Sequence, residues 1–171
     1  MGRSDGVNID TGAVTSRLLA LSDPFDKRIL VVDDDDLELS LIADRLQARN
    51  FKVSQAANGQ EALDALEREW FPVVITDWQM PVMDGLEFTQ QLRRKGVTDT
   101  FVIMLTVLDS SFDYERAYES GVDDYLSKKQ PDVELYARIH AAFTTLHLRR
   151  ELQAARAACN SRRRFNVVKA E

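Results

Sequence analysis

Residues 29–36 read Ile-Leu-Val-Val-Asp-Asp-Asp-Asp, an apolar run without alternation that stops at four adjacent carboxylates. A strand with one wet face alternates, so an unbroken aliphatic run describes a strand buried on both faces, as in the interior of a parallel sheet. The carboxylates then stand at the carboxyl end of that strand. In open α/β sheets the ligand crevice lies just beyond the carboxyl ends, so Asp33 and Asp34 fall where a divalent cation can be held. The plainer alternative is that four Asp merely end a strand and cap the next helix, and Asp35 or Asp36 is expected to do that as N-cap.

Two later segments repeat the pattern. Pro72-Val73-Val74-Ile75-Thr76-Asp77 is apolar up to a carboxylate, and Phe101-Val102-Ile103-Met104-Leu105-Thr106 is apolar up to a hydroxyl. A shorter run, Asp123-Asp124-Tyr125-Leu126-Ser127-Lys128, ends in an ammonium group. Parallel strands bring such ends to one rim, which then carries Asp33, Asp34, Asp77, Thr106 and Lys128. A metal-holding pair, a carboxylate nucleophile, a hydroxyl donor and a cation are the parts that phosphoryl transfer needs, because its catalysis is positioning plus neutralisation of oxygen charge. Periodicity predicts strands at about 28–33, 51–55, 72–77, 101–106 and 123–127, and helices at about 36–49, 59–69, 85–95 and 111–120. Asn58-Gly59, Asp84-Gly85 and Lys95-Gly96 supply turn signals between them, and the alternation requires right-handed parallel crossovers.

The order Val-Val-Asp-Asp, Ile-Thr-Asp-Trp-Gln-Met-Pro-Val-Met-Asp-Gly, Ile-Met-Leu-Thr and Asp-Asp-Tyr-Leu-Ser-Lys resembles the receiver domain of two-component response regulators over about residues 27–148. The resemblance implies an α/β, flavodoxin-like (βα)5 fold, a doubly wound five-stranded parallel sheet. It implies a signalling switch rather than an enzyme in its own right, phosphorylated on Asp77 by a histidine kinase or a histidine phosphotransfer protein. Mg²⁺ would be held by Asp33, Asp34, Asp77 and the backbone carbonyl of Gln79. Thr106 and Lys128 would contact the phosphoryl oxygens, and Tyr125 would change rotamer with Thr106. The output would be a surface change read by dimerisation or partner docking.

The remaining chain divides simply. Residues 1–26 read as an N-terminal arm with one short apolar patch, Val14–Leu21. No stretch approaches the roughly 18 consecutive apolar residues of a membrane span, and the first 25 residues lack a signal-peptide pattern. A cytoplasmic protein without membrane contact is therefore expected. Cys159 is the only cysteine, which excludes an internal disulfide and a cysteine metal cluster.

From Asp132 to about Ala158 there is neither Gly nor Pro, and helix formers dominate. Leu135, Ile139, Ala142 and Leu146 make one stripe suited to covering the sheet. Leu148, Leu152, Ala155 and Cys159, spaced four, three and four, make a second stripe suited to a coiled-coil seam and to a homodimer through this helix. Two heptads are too short to be stable alone, so a solvated extension is the competing reading. Residues 149–171 hold seven Lys or Arg against two Glu, net +5, and residues 1–148 hold 15 against 26, net −11. This basic helical extension or linker stub lacks any recognisable base-reading motif, and nucleic acid is not expected as a partner. Regulators that resemble this chain often continue through such a helix into an output domain, such as a diguanylate cyclase. No output domain is present in these residues, so the chain reads as a single-domain regulator or as one cut before its effector.

Three departures from the receiver pattern stand out. Lys128 is followed by Lys129 rather than by a cis proline, and a non-proline cis bond costs about 3 kcal/mol, so a trans bond is expected. Val107 stands where a small residue is usual, and Leu108 stands beside the path of a hydrolytic water, which implies slow hydrolysis of the phosphoaspartate. Two other functions compete. A haloacid dehalogenase-like Mg²⁺-dependent phosphatase would use Asp33 and Asp35 with Thr106 and Lys128, but lacks a later acidic pair and leaves Asp77 unused. A pseudo-receiver acting only as an interaction module has no need to gather so much negative charge. His140 and His147 are expected at the helix surface, and Trp78 reads equally as a partly exposed neighbour of the site or as packing.

Overall fold

The computed structural model describes residues 27–107 and 119–168, with residues 160–168 in backbone only. Strands β1 (Arg28–Val32), β2 (Lys52–Ala56), β3 (Val73–Asp77), β4 (Phe101–Thr106) and β5 (Asp124–Ser127) are interleaved with helices α1 (Asp36–Gln47), α2 (Gly59–Arg68), α3 (Gly85–Arg94) and α4 (Asp132–Val168). The strands form one parallel sheet in the order β2-β1-β3-β4-β5. The doubly wound flavodoxin-like topology expected from the alternation is therefore present. The order reverses between β1 and β3, and the crevice at such a switch point is where α/β sheets bind ligands.

Alternation within each buried strand divides the core in two. Leu30 and Val32 of β1 point into a cluster with Val74, Val102 and Met104, closed by Ala62 and Leu63 of α2 and by Leu86, Phe88 and Leu92 of α3. Ile29 and Val31 point the other way, joining Val73, Ile75, Ile103 and Leu105 under Leu39, Ile42 and Leu46 of α1. Leu135, Ile139, Ala142 and Leu146 of α4 complete that second cluster, so the first stripe of the long helix covers the sheet as expected. Every strand residue thus has a face to fill, which is why β1, β3 and β4 carry no polar alternation.

The helices begin where short polar side chains can accept the first free amides. Asp35 caps α1 by accepting from the N–H groups of Leu37 and Glu38, Asn58 caps α2 through Glu61 N–H, and Asp84 caps α3 through Glu87 N–H. Two of the three expected turn signals are therefore helix N-caps; in the third, Gly96 adopts a left-handed φ of 78° just after α3. β2 starts one residue later than expected because Phe51 N–H is still spent on the Leu46 carbonyl at the end of α1. Residues 111–118 of the helix expected at 111–120, with Leu108, and the arm at 1–26 lie outside the described residues. α4 runs ten residues past its expected end at Ala158. No helix among the described residues is long and apolar enough to cross a membrane.

Candidate functional site

Register delivers the site. Val32 pairs with Thr76 and Asp77 with Leu105, so Asp33 and Asp77 leave neighbouring strands side by side. Thr106 pairs with Ser127, and Lys128 N–H donates to the Thr106 carbonyl at 2.8 Å, which sets the lysine stem beside both. Lys128 Nζ donates to Asp33 Oδ2 at 2.7 Å and lies 3.0 Å from Asp77 Oδ1. Asp33 is only 2% exposed, and its other oxygen accepts from Asp35 N–H at 3.0 Å. Asp77 Oδ2 accepts from Gln79 N–H at 3.3 Å. Asp34 is exposed, and Thr106 is buried.

One oxygen from each of Asp33, Asp34 and Asp77 falls within 4.8 Å of the others, a cluster of three carboxylates able to hold a cation. Among the described residues the Lys128 ammonium pairs with two of these three carboxylates, so a surplus of negative charge remains. Hard oxygen donors with excess negative charge and an exposed side suit Mg²⁺, which keeps several waters and takes one or two protein carboxylates. All the expected rim residues are thus brought together by the fold; what the geometry leaves to chemistry is their roles.

Burial pushes the Asp77 carboxyl above the usual 3.8, with the charge of Asp33 acting in the same direction, and the Lys128 contact offsets this only in part. Lys128 itself is held above 10.5: burial works against its charge, and the two carboxylates outweigh that burial. For Asp77 the linkage has a definite sign. A folded-state value above the unfolded one means that its contribution is present below pH 3.8 and is lost as the pH rises through the raised value. Ionised Asp77 therefore costs stability at neutral pH when no divalent cation is present. Asp77→Asn should raise the urea midpoint at pH 7 in chelator, and its advantage should shrink as the pH falls toward 4. A parent protein whose midpoint rises with pH across that range relative to the variant contradicts this.

The loop after β3 takes its shape at Pro81 and Gly85, as expected. Gly85 N–H donates to the Trp78 carbonyl at 2.9 Å, and a Cβ on Gly85 would stand 2.1 Å from the Asp77 carbonyl oxygen. Val82, 83% exposed, has φ 70°, and Met83 N–H closes on the Pro81 carbonyl at 2.8 Å. This is a γ-turn centred on a β-branched residue in a region such residues avoid. Trp78 is 6% exposed and packs in the cluster with Val74 and Leu86, so of its two readings the packing one holds. There are no cis peptide bonds among the described residues, as the absence of proline after Lys128 required. Asp35 spends its side chain on the α1 cap, which removes the second carboxylate that a dehalogenase-like arrangement would use.

Comparison with known proteins agrees with this geometry. The family model described as the response regulator receiver domain matches residues 29–140. The alkaline phosphatase synthesis transcriptional regulatory protein PhoP of Bacillus subtilis is 36% identical over 115 residues, 67% of this chain and 48% of PhoP. Among solved structures, the receiver domain of the Francisella response regulator 1452 superposes with a TM-score of 0.66 at 31% identity, covering 69% of this chain and 97% of that one. The Saccharomyces cerevisiae complex of the histidine phosphotransfer signalling protein Ypd1 with the receiver domain of the response regulator Ssk1 matches at TM-score 0.61 and 26% identity, over 66% of this chain and 85% of that one. The chain spans about half the length of the first curated relatives it matches.

Proposed function

Because this chain belongs to the response regulator receiver family, a family of phosphorylation-dependent signalling switches, we propose that residues 27–148 are its switch and that Asp77 is the phosphoacceptor. The observation that carries this reading is the Lys128 ammonium joined to both Asp33 and Asp77 at the carboxyl rim of the sheet. A carboxylate oxygen of Asp77 attacks phosphorus in line as the bond from phosphorus to a donor histidine nitrogen breaks; with the donor's other ring nitrogen protonated, this leaves an acyl phosphate and a neutral imidazole. Lys128 neutralises charge on the equatorial oxygens, and Thr106 donates its hydroxyl to one of them. Asp33, Asp34, Asp77 and the Gln79 carbonyl would hold Mg²⁺, which would supply a counter-charge to the carboxylates and the incoming phosphoryl oxygens. Lys128 then exchanges a carboxylate partner for a phosphoryl one. Thr106 moves toward the phosphoryl group, and Tyr125, half-buried against the cluster of Val102 and Met104, takes up the space it leaves.

The donor is a histidine kinase or a histidine phosphotransfer protein in the cytoplasm. Exposed Leu37 in the first turn of α1, Val82 after β3, Val107 after β4 and Val133 in the first turn of α4 all stand on the rim that carries Asp77. Apolar residues placed around a polar cleft suit a helical protein partner that must bring its histidine to the acceptor. An output domain, such as a diguanylate cyclase, is the natural recipient of the signal along α4. Incubation with Mg²⁺ and acetyl phosphate should add one phosphoryl group, and Asp77→Asn should abolish it. Equal labelling of the variant by intact mass would remove Asp77 from its role.

A further inference from the structure

Thr76 precedes Asp77 on β3 and is fully buried, in register with Val32 of β1 and Met104 of β4 on the face covered by α2 and α3. Valine has nearly the same shape and would suit that apolar layer better, because a buried hydroxyl must replace its lost hydration with a hydrogen bond. The Thr76 hydroxyl makes that bond to the next carbonyl in the chain, donating to the Asp77 carbonyl oxygen at 2.9 Å. The bond therefore falls on the peptide unit that joins Asp77 to Trp78. The N–H of the same unit donates to the Leu105 carbonyl at 3.1 Å. A planar unit held at both ends resists rotation, and here one end is tied to β4 and the other to Thr76. Thr89, equally buried, donates to the Gly85 carbonyl at 2.7 Å inside its own helix, the ordinary use of a helical threonine. Thr76 differs in gripping the backbone that carries the acceptor.

We propose that Thr76 is a positioning residue for phosphoryl transfer: its hydroxyl locks the Asp77–Trp78 peptide plane, and that plane sets the acceptor carboxylate and the Gln79 carbonyl in their working arrangement. The next peptide unit is fixed in turn by Gly85 N–H, which donates to the Trp78 carbonyl at 2.9 Å. Gln79 N–H is thereby aimed at Asp77 Oδ2 at 3.3 Å, while Asp77 Oδ1 stays 3.0 Å from Lys128 Nζ. The Asp77 carbonyl has no room to turn toward α3, since a Cβ on Gly85 would stand 2.1 Å from it. Thr76 touches neither the phosphoryl group nor the metal and acts through Asp77, so this role rests on Asp77 being the acceptor.

Labelling of the full chain by acetyl phosphate in Mg²⁺, followed by intact mass, tests the role. Thr76→Val keeps the shape and removes the donor. It should lower the maximal labelling rate about tenfold and leave the half-saturating acetyl phosphate concentration unchanged, because the plane orients the acceptor and does not bind the phosphodonor. Thr76→Ser restores the hydroxyl and should return the rate to within about twofold of the parent. Thr100→Val is the matched control: it removes an equally buried hydroxyl, one that donates to the Phe71 carbonyl at 2.8 Å just before β4, and should leave labelling unchanged. A Thr76→Val protein that labels at the parental rate, a slowing that more acetyl phosphate cures, a Thr76→Ser protein as slow as Thr76→Val, or an equal loss in Thr100→Val would each overturn the role of Thr76. Equal labelling of Asp77→Asn would instead strike the acceptor assignment beneath it, so the two failures are told apart.

Discussion

Alanine in place of Gly85 should slow labelling of Asp77 by about 100-fold, without altering any charged group in the site. The added Cβ would stand 2.1 Å from the Asp77 carbonyl oxygen and 3.2 Å from Thr76 Oγ1, and the first of these is backbone that cannot swing aside. Either β3 shifts at its carboxyl end, which moves the acceptor away from Lys128, or α3 backs off and loses the Gly85–Trp78 hydrogen bond. Both routes also destabilise the fold, by at least about 2 kcal/mol. Gly96→Ala is the matched control. Nothing lies within 4 Å of its missing Cβ, so it should cost only the strain of φ 78°, about 1 kcal/mol, and leave labelling intact. Comparable acetyl phosphate kinetics for the two variants would mean that the loop tolerates the methyl group and that its geometry does not set the acceptor.

Arg93→Met should lower stability by about 3 kcal/mol, a large share of the 5–15 kcal/mol that separates a typical domain from its unfolded chain. One guanidinium holds four groups at the end of the sheet remote from Asp77. Nε donates to the Gly121 carbonyl at 2.9 Å, Nη1 to the Val97 and Thr100 carbonyls at 2.9 and 3.0 Å, and Nη2 to Asp123 Oδ2 at 2.6 Å. Burial depresses the Arg93 pKa, with the Asp123 charge opposing it, so the cation is kept by its partners. Methionine fills most of the space but leaves three carbonyls short of a donor and Asp123 with Val102 N–H and the more distant Arg149. Arg93→Lys should recover only part of the loss, because an ammonium cannot fan out to four acceptors. Urea denaturation of both variants measures this; a shift under 1 kcal/mol for Arg93→Met would show that water replaces the guanidinium.

The contrast between these two residues marks what the sequence disclosed. Asp33, Asp77 and Thr106 were legible because each ends a largely apolar run, and Lys128 because it ends a shorter strand-like run; parallel strands carry such endings to one rim. Strand register did the rest without any further signal. Arg93 gave no such sign: it stands in the last turn of a helix next to Arg94, where a cation is expected merely to complement the dipole, and only the tertiary fold tells the half-buried one from the exposed one. Gly85 was seen as a turn former, but its need to be glycine comes from the approach of the β3 backbone, a contact between segments. Val82 sits in a γ-turn although β-branched residues resist that conformation, so propensity argued against what the loop imposes. The length of α4 was underestimated for a simpler reason, since the mixed residues after Ala158 carry no periodic face by which to extend it.

The burial of only one half of α4 has a mechanical consequence. The helix starts at Asp132, four residues after Lys128, and its last residue in the core is Leu146, so about 33 Å of helix runs on to Val168. A rod fastened along one half moves as a unit with whatever holds it. A tilt of about 5° in the seat formed by Leu135, Ile139, Ala142 and Leu146 would thus reappear as a sweep of about 3 Å at the far tip, the long arm magnifying what the core scarcely registers.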